Sequence, residues 1–164
     1  MSFRKALVLL LLVLAGCGFR LRGTAEVPFH SLYVPGATSG IALDLKRNIQ
    51  AGTRARVVDD PKEADAVLQF TEESRAKEIL SLTGAGRVRE FRLRYRVGFR
   101  VHDGKGNDYV PQNTLELTRD VSFNDAEVLA KEAEEQLLYR DMQTDMVQQI
   151  MRRLAAAQRP RPQG

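Results

Sequence analysis

A row of arginines is the part of this sequence whose side chains are best suited to bind an anion. From Glu90 to Val101, charged and apolar residues alternate with a period of two, which is typical of a strand with one buried and one solvated face. The charged face carries an arginine stripe, made of Arg92, Arg94, Arg96 and Arg100. Residues two apart on a strand lie roughly 6.8 Å apart on the same face. The guanidinium groups would therefore form a row whose paired N–H donors suit carboxylates or phosphates.

Two explanations of the arginine stripe remain open on the sequence alone. Glu116 and Asp120 fall on the polar face of the next predicted strand, so they can pair with the arginines across the sheet. Such pairing, or contact with a polar protein partner, is the explanation that we favour. The alternative is that the row binds the anionic groups of a lipid directly.

A second basic cluster follows a glycine-rich turn. Arg87 and Arg89 come directly after Gly84-Ala85-Gly86, which indicates the connection of a β-hairpin. Arginines on an exposed turn suit phosphate recognition, because the guanidinium group offers two parallel donors. A solvated turn without a ligand explains the same pattern equally well.

Residues that could support catalysis are scarce. The chain has one cysteine and two histidines, His30 and His102, and it lacks nucleophile-elbow, zinc-protease, paired-cysteine and P-loop patterns. Glu134 and Glu135 are consecutive on a predicted helix, so their side chains diverge by about 100°. We therefore predict that the protein is not an enzyme and holds no metal or cofactor.

The only cysteine lies at the end of a short apolar segment. Arg4 and Lys5 precede an apolar run from Ala6 to Leu14, which is about half the roughly 20 residues that a membrane-spanning helix needs. The following Leu14-Ala15-Gly16-Cys17 resembles a bacterial lipobox, which implies cleavage of residues 1–16 and lipidation of the Cys17 thiol. Gly18, rather than aspartate, follows the cysteine, which favours the outer membrane, with the body of the protein facing the periplasm.

The net charge does not indicate nucleic-acid binding. The formal charge of +4 is accounted for by Arg4 and Lys5 in the signal segment and by Arg159 and Arg161 in the tail, so the body between them is neutral. A neutral body has no overall field that attracts DNA or RNA. Any anion recognition must come from local clusters.

The periodicity predicts an α+β fold (a mixed α/β sandwich), with two helices packed on one face of a roughly four-stranded sheet. Ile41, Leu45 and Ile49 recur at helical spacing before Gly52, and a longer helix extends from Asn124 or Asp125 to about Ala157, with a methionine stripe that we assign to the core. We predict one domain over residues 17–157, including an N-terminal lipid tether, and a disordered tail over 158–164. The predicted strands cover residues 31–34, 54–58, 66–82 with a bend near 72–73, 90–101 and 114–123.

The order of several segments resembles the LptE family, the lipopolysaccharide-assembly lipoproteins of Gram-negative outer membranes. The resemblance covers nearly all of residues 17–155, and no single motif carries it. Its clearest parts are residues 17–23, 32–34, 64–68, 90–101, 129–132 and 135–142.

This resemblance implies a fold, two partners and candidate ligand residues. Family members have a small sheet packed by two helices, plug and help to assemble the large β-barrel LptD, and bind lipopolysaccharide on its way to the cell surface. Lys131 matches the helical position where a lipopolysaccharide contact is expected. The loop contact has no basic residue at Thr83–Gly86 here, and Arg87 is the nearest substitute, with Arg89 beside it. The alternative function is that of a periplasm-facing lipoprotein serving another envelope complex, and the alternative for Lys131 is an ordinary surface lysine.

Overall fold

A computed structural model of the protein describes residues 25–159. Cys17, the predicted signal segment and residues 160–164 of the predicted tail lie outside the described residues. Within residues 25–159, two helices and five strands make up the fold, together with two short 3₁₀ turns. In chain order the elements are β1 (Ser31–Tyr33), α1 (Gly40–Gly52), β2 (Arg56–Val58), β3 (Ala66–Leu82), β4 (Val88–His102), β5 (Asp108–Ser122) and α2 (Val128–Ala155).

The strands form one mixed sheet in the order β2-β1-β3-β4-β5. The short strands β1 and β2 pair in parallel, connected through α1, and β1 also runs parallel to the first residues of β3. From β3 to β5 the chain forms an antiparallel meander. The predicted α+β class is confirmed, with five strands instead of about four, because the two three-residue strands both join the sheet.

The hydrophobic core lies between one face of the sheet and the two helices. From Leu93 to Val101 the apolar face of β4 is fully buried, with Leu93, Tyr95 and Phe99 all at 0% exposure. Apolar side chains of both helices pack against this face in a single cluster. These helix residues are Ile41, Leu45, Ile49, Met142, Met146, Ile150 and Leu154. The methionine stripe is thus part of the core.

The long helix begins later than its sequence pattern predicts. Asn124 caps a 3₁₀ turn over Asp125–Glu127, its side-chain oxygen accepting from the backbone N–H of Ala126, and the α-helix starts at Val128. Its last turn carries Arg152 and Arg153, which complement the negative end of the helix dipole. Across residues 25–159, neither helix is both long enough and apolar enough to span a membrane.

A β-bulge in β3 decides which of its side chains face the helices. The register with β4 shifts between Phe70 and Glu72, so Thr71 is the extra residue, as the predicted bend near 72–73 indicates. Phe70 lies opposite the buried Phe99, whereas Glu72 lies opposite Gly98 on the other face. Beyond the bulge, the polar even-numbered residues of β3 therefore point away from the helices.

Gly98 makes room for this bulge. A Cβ atom at Gly98 would lie 2.5 Å from Thr71 Oγ1 and 3.2 Å from Glu72 Cβ, both closer than normal contact. We expect Gly98→Ala to lower the free energy of unfolding by about 1–2 kcal/mol, because overpacking of this kind displaces side chain and backbone. Urea unfolding measures the loss.

Gly84→Ala is the matched control for Gly98→Ala. Gly84 has open space around its Cβ position and no unusual backbone angle, so its substitution should leave the unfolding midpoint almost unchanged. Equal stability of the two variants would contradict the role assigned to Gly98.

Candidate functional site

The face of the sheet turned away from the helices is an open face, and it carries the arginine stripe. Because directly opposed residues share a face, the register places Arg92 between Glu78 and Asp120, and Arg96 between Ser74 and Glu116. This arrangement surrounds the central strand with carboxylates from both neighbours.

Each arginine of the stripe is paired with a carboxylate. Arg92 donates to both oxygens of Asp120, at 2.8 and 2.9 Å, and Arg96 donates from two nitrogens to Glu116. Arg94 donates to Glu78 at 3.0 Å. Arg100 Nη2 lies 3.1 Å from Asp108 Oδ1. These contacts are the cross-strand pairing of the favoured explanation, and they leave the stripe without free positive charge.

The ion pairs hold the carboxylates of the open face in their charged form. Hydrogen bonds from Arg96 lower the pKa of Glu116 from its ordinary 4.5, and those from Arg92 lower the pKa of Asp120 from its ordinary 3.8. A carboxyl whose pKa is lower in the folded state stabilises the fold above its unfolded pKa. This stabilisation is lost as the pH falls through the folded pKa.

We therefore expect Glu116→Gln to be less stable than the wild type at pH 7, and this difference to disappear once the pH falls below the lowered pKa of Glu116. At neutral pH the substitution removes a charged partner of Arg96, whereas below that pKa the wild-type carboxyl is protonated as well. Urea midpoints at pH 7 and along a series of falling pH values measure the effect. Glu132→Gln, at an exposed position of α2, is the control and should show no such pH dependence. A Glu116→Gln difference that persists in acid would contradict the assignment.

On the opposite face, β3 and α2 are joined by cations held against aromatic rings. The guanidinium carbon of Arg75 lies 4.8 Å from the centroid of the Tyr95 ring and 5.4 Å from that of Tyr139, and the group also donates to Gln143. The pKa of Tyr95 is raised, mainly because the side chain is buried and secondly because its hydroxyl donates a hydrogen bond to Glu73. These contacts fix the outer part of the β3–β4 hairpin under the long helix.

Two of the predicted ligand residues lie together at the turn between β3 and β4, which we call the hairpin end. Arg87 and Arg89 are exposed, and neither forms an ion pair with any residue in 25–159. The turn is held by two backbone hydrogen bonds: the N–H of Thr83 donates to the carbonyl of Arg87, and the N–H of Gly86, at a φ of 76°, donates to the carbonyl of Thr83. In contrast to the arginine stripe, these guanidinium groups are free to bind an anion.

Exposed apolar side chains lie at the same end of the sheet. Ile79, Leu80 and Leu82 end β3 beside the turn, with Ile79 59% and Leu82 54% exposed. Leu129, at the start of α2, is 83% exposed. Sequence reasoning missed the exposure of these residues, because apolar residues in strands and helices are normally assigned to the core. For the three β3 residues, the available signal was their position next to a basic turn.

Lys131 lies at this end too, but it has partners within the protein. Its Nζ donates to Ser122 Oγ at 3.0 Å and to Glu134 Oε2 at 2.9 Å, and its side chain is 18% exposed. Ser122 pairs with Glu90, next to Arg89, so the lysine connects α2 to the end of the sheet near the basic turn. A ligand anion would have to compete with Glu134 for its charge.

At the other end of the sheet, His30 lines a cleft of about 680 Å³. Burial would raise the pKa of Asp65 there, but hydrogen bonds from the backbone N–H groups of His30 and Ser31 outweigh it and lower the pKa. Asp65 thereby ties β1 to the start of β3. Among the described residues, no group of three or more histidine, cysteine, aspartate or glutamate side chains is placed to hold a metal ion.

Known proteins resemble this chain over most of its length. Residues 26–154 match the model of the family described as LptE, lipopolysaccharide-assembly. A protein of Yersinia enterocolitica named LPS-assembly lipoprotein LptE is 33% identical over 150 residues, which are 89% of this chain and 72% of the relative. The LptE of Photorhabdus laumondii is 28% identical over 149 residues, which are 89% of this chain and 81% of the relative.

Solved structures share the fold as well. The solution structure of lipoprotein B from Nitrosomonas europaea has a TM-score of 0.72 and 45% identity, and the match covers 85% of this chain and 91% of that one. The crystal structure of the rare lipoprotein B from Shewanella oneidensis has a TM-score of 0.65 and 25% identity, with 77% and 92% covered. The sheet with two helices is thus found in other bacterial lipoproteins.

Proposed function

The chain belongs to the LptE family of lipopolysaccharide-assembly lipoproteins, and from that premise we propose that it is a lipid-anchored plug of an LptD-like outer-membrane β-barrel that also binds lipopolysaccharide. In this proposal Cys17 carries the lipid, and the body faces the periplasm within the barrel lumen. Its contribution is binding and positioning rather than catalysis.

The observation that carries the proposal is the amphiphilic end of the sheet. Arg87 and Arg89 supply guanidinium groups that form no ion pair with any of residues 25–159, and Leu82 and Leu129 supply exposed apolar surface at the same end of the sheet. Lipopolysaccharide combines phosphates with acyl chains, so its lipid portion presents the two chemistries that this end can bind. Lys131 adds a third cation if the ligand displaces it from Glu134.

The open face supports the barrel half of the proposal. Its arginines form ion pairs with carboxylates of the neighbouring strands. The face therefore carries many charged groups, but its net charge is close to zero. The inside of a large membrane barrel is polar and solvated. A compensated polar face can lie against such a lumen without leaving a buried charge unpaired.

Co-purification from detergent-solubilised outer membranes tests the proposal. We expect the tagged full chain to bring down an LptD-like barrel and lipopolysaccharide. Depletion of the protein should lower the surface labelling of lipopolysaccharide. Recovery of a different envelope complex would favour the accessory-subunit alternative, and normal surface lipopolysaccharide after depletion, with the barrel intact, would contradict the proposal.

A further inference from the structure

Within residues 25–159 the outer edge of β5 is unpaired, and its register with β4 is uninterrupted over most of the strand. β5 is the last strand of the sheet, and within residues 25–159 no strand flanks it on the side away from β4. From Thr114 to Ser122 its register with β4 runs without a shift. Its irregularities, and Pro111, are confined to the beginning of the strand. A straight edge of this length is a template for another strand.

The backbone groups that point outward along this edge can be identified from the ladder. The N–H of Phe123 donates to the carbonyl of Arg89, so odd-numbered residues of this part of β5 bond to β4, and even-numbered residues point away. Consistent with this alternation, the carbonyl of Thr118 accepts from Arg119 Nη1 at 2.9 Å, outside the ladder. A carbonyl oxygen can accept a second hydrogen bond.

The other long edge of the sheet is protected. β3 is free of β1 beyond Val67, but its register is broken at Thr71 and again near Leu80. Between these breaks the side chains of Glu73, Arg75 and Lys77 point toward the helix layer. Bulges and inward-pointing charges are devices that prevent strand addition. β5 carries one such charge, Arg119, which is neutralised by Asp145.

The side chains along the β5 edge define what a strand placed there must carry. On the open face an added strand would lie beside Thr114, Glu116, Thr118, Asp120 and Ser122, a column of carboxylates and hydroxyls. On the helix side it would lie beside Leu115, Leu117 and Val121. A matching segment alternates basic or hydroxyl-bearing residues with apolar ones. A second copy of β5 would instead set two acidic columns side by side, which is unfavourable.

We propose that the Thr114–Ser122 edge of β5 binds an extended segment of the barrel partner by strand addition, with alternating basic or hydroxyl-bearing and apolar side chains. The inference rests on the proposed function, because that function supplies the partner. Main-chain hydrogen bonds to the even-numbered residues give the affinity, and the two side-chain columns give the register. The partner segment thereby becomes the new edge strand of the sheet, next to β5.

Thr118→Pro tests the edge directly. Proline removes the outward N–H of Thr118 but no hydrogen bond to β4, so the fold should survive on this edge strand. Thr118→Val, which keeps the N–H and the side-chain shape, is the matched control. With tagged full-length chains in outer-membrane extracts, we expect the proline variant to recover at least about tenfold less barrel than the wild type or the valine variant, because a partner carbonyl loses its donor.

Hydrogen exchange of the wild type provides the second measurement, which does not depend on the fold of the proline variant. We expect the amides of Glu116, Thr118 and Asp120 to exchange at least about tenfold more slowly in the barrel complex than in the free protein. Two results would contradict strand addition while leaving the proposed function standing. In the first, the proline variant recovers as much barrel as the wild type. In the second, the wild type recovers the barrel but these amides stay unprotected in the complex. If the wild type recovers no barrel, both fail.

Discussion

Replacing Arg87 and Arg89 together with glutamate should weaken lipopolysaccharide binding at least about 100-fold. Charge-assisted hydrogen bonds contribute about 1.5–3 kcal/mol each, and about 2.7 kcal/mol corresponds to a 100-fold change in Kd. Both side chains are exposed and form no ion pair with any of residues 25–159, so their loss should cost the fold little. Titration of fluorescently labelled lipopolysaccharide with the purified protein measures the change.

The chain offers a close control for this variant. Arg54 and Arg56 are also exposed and two residues apart, but they lie at the opposite edge of the sheet, at β2. Arg54→Glu with Arg56→Glu changes the net charge equally, so it separates a local site from general electrostatic attraction. An equal loss of binding in the two double variants would contradict a site at the hairpin end.

Lys131 needs a separate comparison, because its charge is already opposed. Its bonds to Ser122 and Glu134 give it a structural role that Arg87 does not have. We expect Lys131→Glu to lower lipopolysaccharide affinity while barrel capture is kept. Unchanged affinity with lower thermal stability would show instead that the lysine only fixes the start of α2.

The alternation in β4 made much of the fold predictable. A strict period of two identifies the buried residues Leu93, Tyr95 and Phe99 without any knowledge of their neighbours, because side-chain direction in a strand is a local property. The same reasoning placed Glu116 and Asp120 opposite arginines. These two pairings could be predicted because they depend only on β5 following β4 as the antiparallel strand of one hairpin.

The carboxylates of β3 could not be assigned in the same way. Whether Glu78 faces the arginine stripe or the helices depends on the extra residue, Thr71, and thus on the space that Gly98 leaves on the neighbouring strand. A one-residue shift reverses the face of every later side chain. The blurred pattern indicated a bend near this point, but tertiary packing determines the register.

The hairpin end was only half predictable. Arg87 and Arg89 stand out in the sequence because they are charged and next to glycines. Leu82 and Leu129 do not, because apolar residues are buried or exposed according to where the packed layers end. The amphiphilic surface arises from two segments far apart in the chain, one before β4 and one after β5.

Removal of the lipid that we propose at Cys17 should release the protein from the membrane almost completely. We expect a Cys17→Ser chain, secreted behind a cleavable signal that is not lipidated, to move from the membrane to the soluble periplasmic fraction. Several acyl chains anchor a protein stably at about 0.8 kcal/mol per buried CH₂, so their loss removes the proposed attachment to the bilayer. Fractionation with immunoblotting measures the distribution.

The barrel must be limiting in this experiment, since capture inside it would hold the protein at the membrane without a lipid. Expression in excess over the barrel meets this requirement, and the chain with its own signal segment and Cys17, at the same level, is the control. Gly18→Asp in an enterobacterial host keeps the lipid but should move the protein to the inner membrane. If the Cys17→Ser chain in excess remains in the membrane fraction, the anchor lies elsewhere, and Cys17 loses the role that its position after Leu14-Ala15-Gly16 gives it.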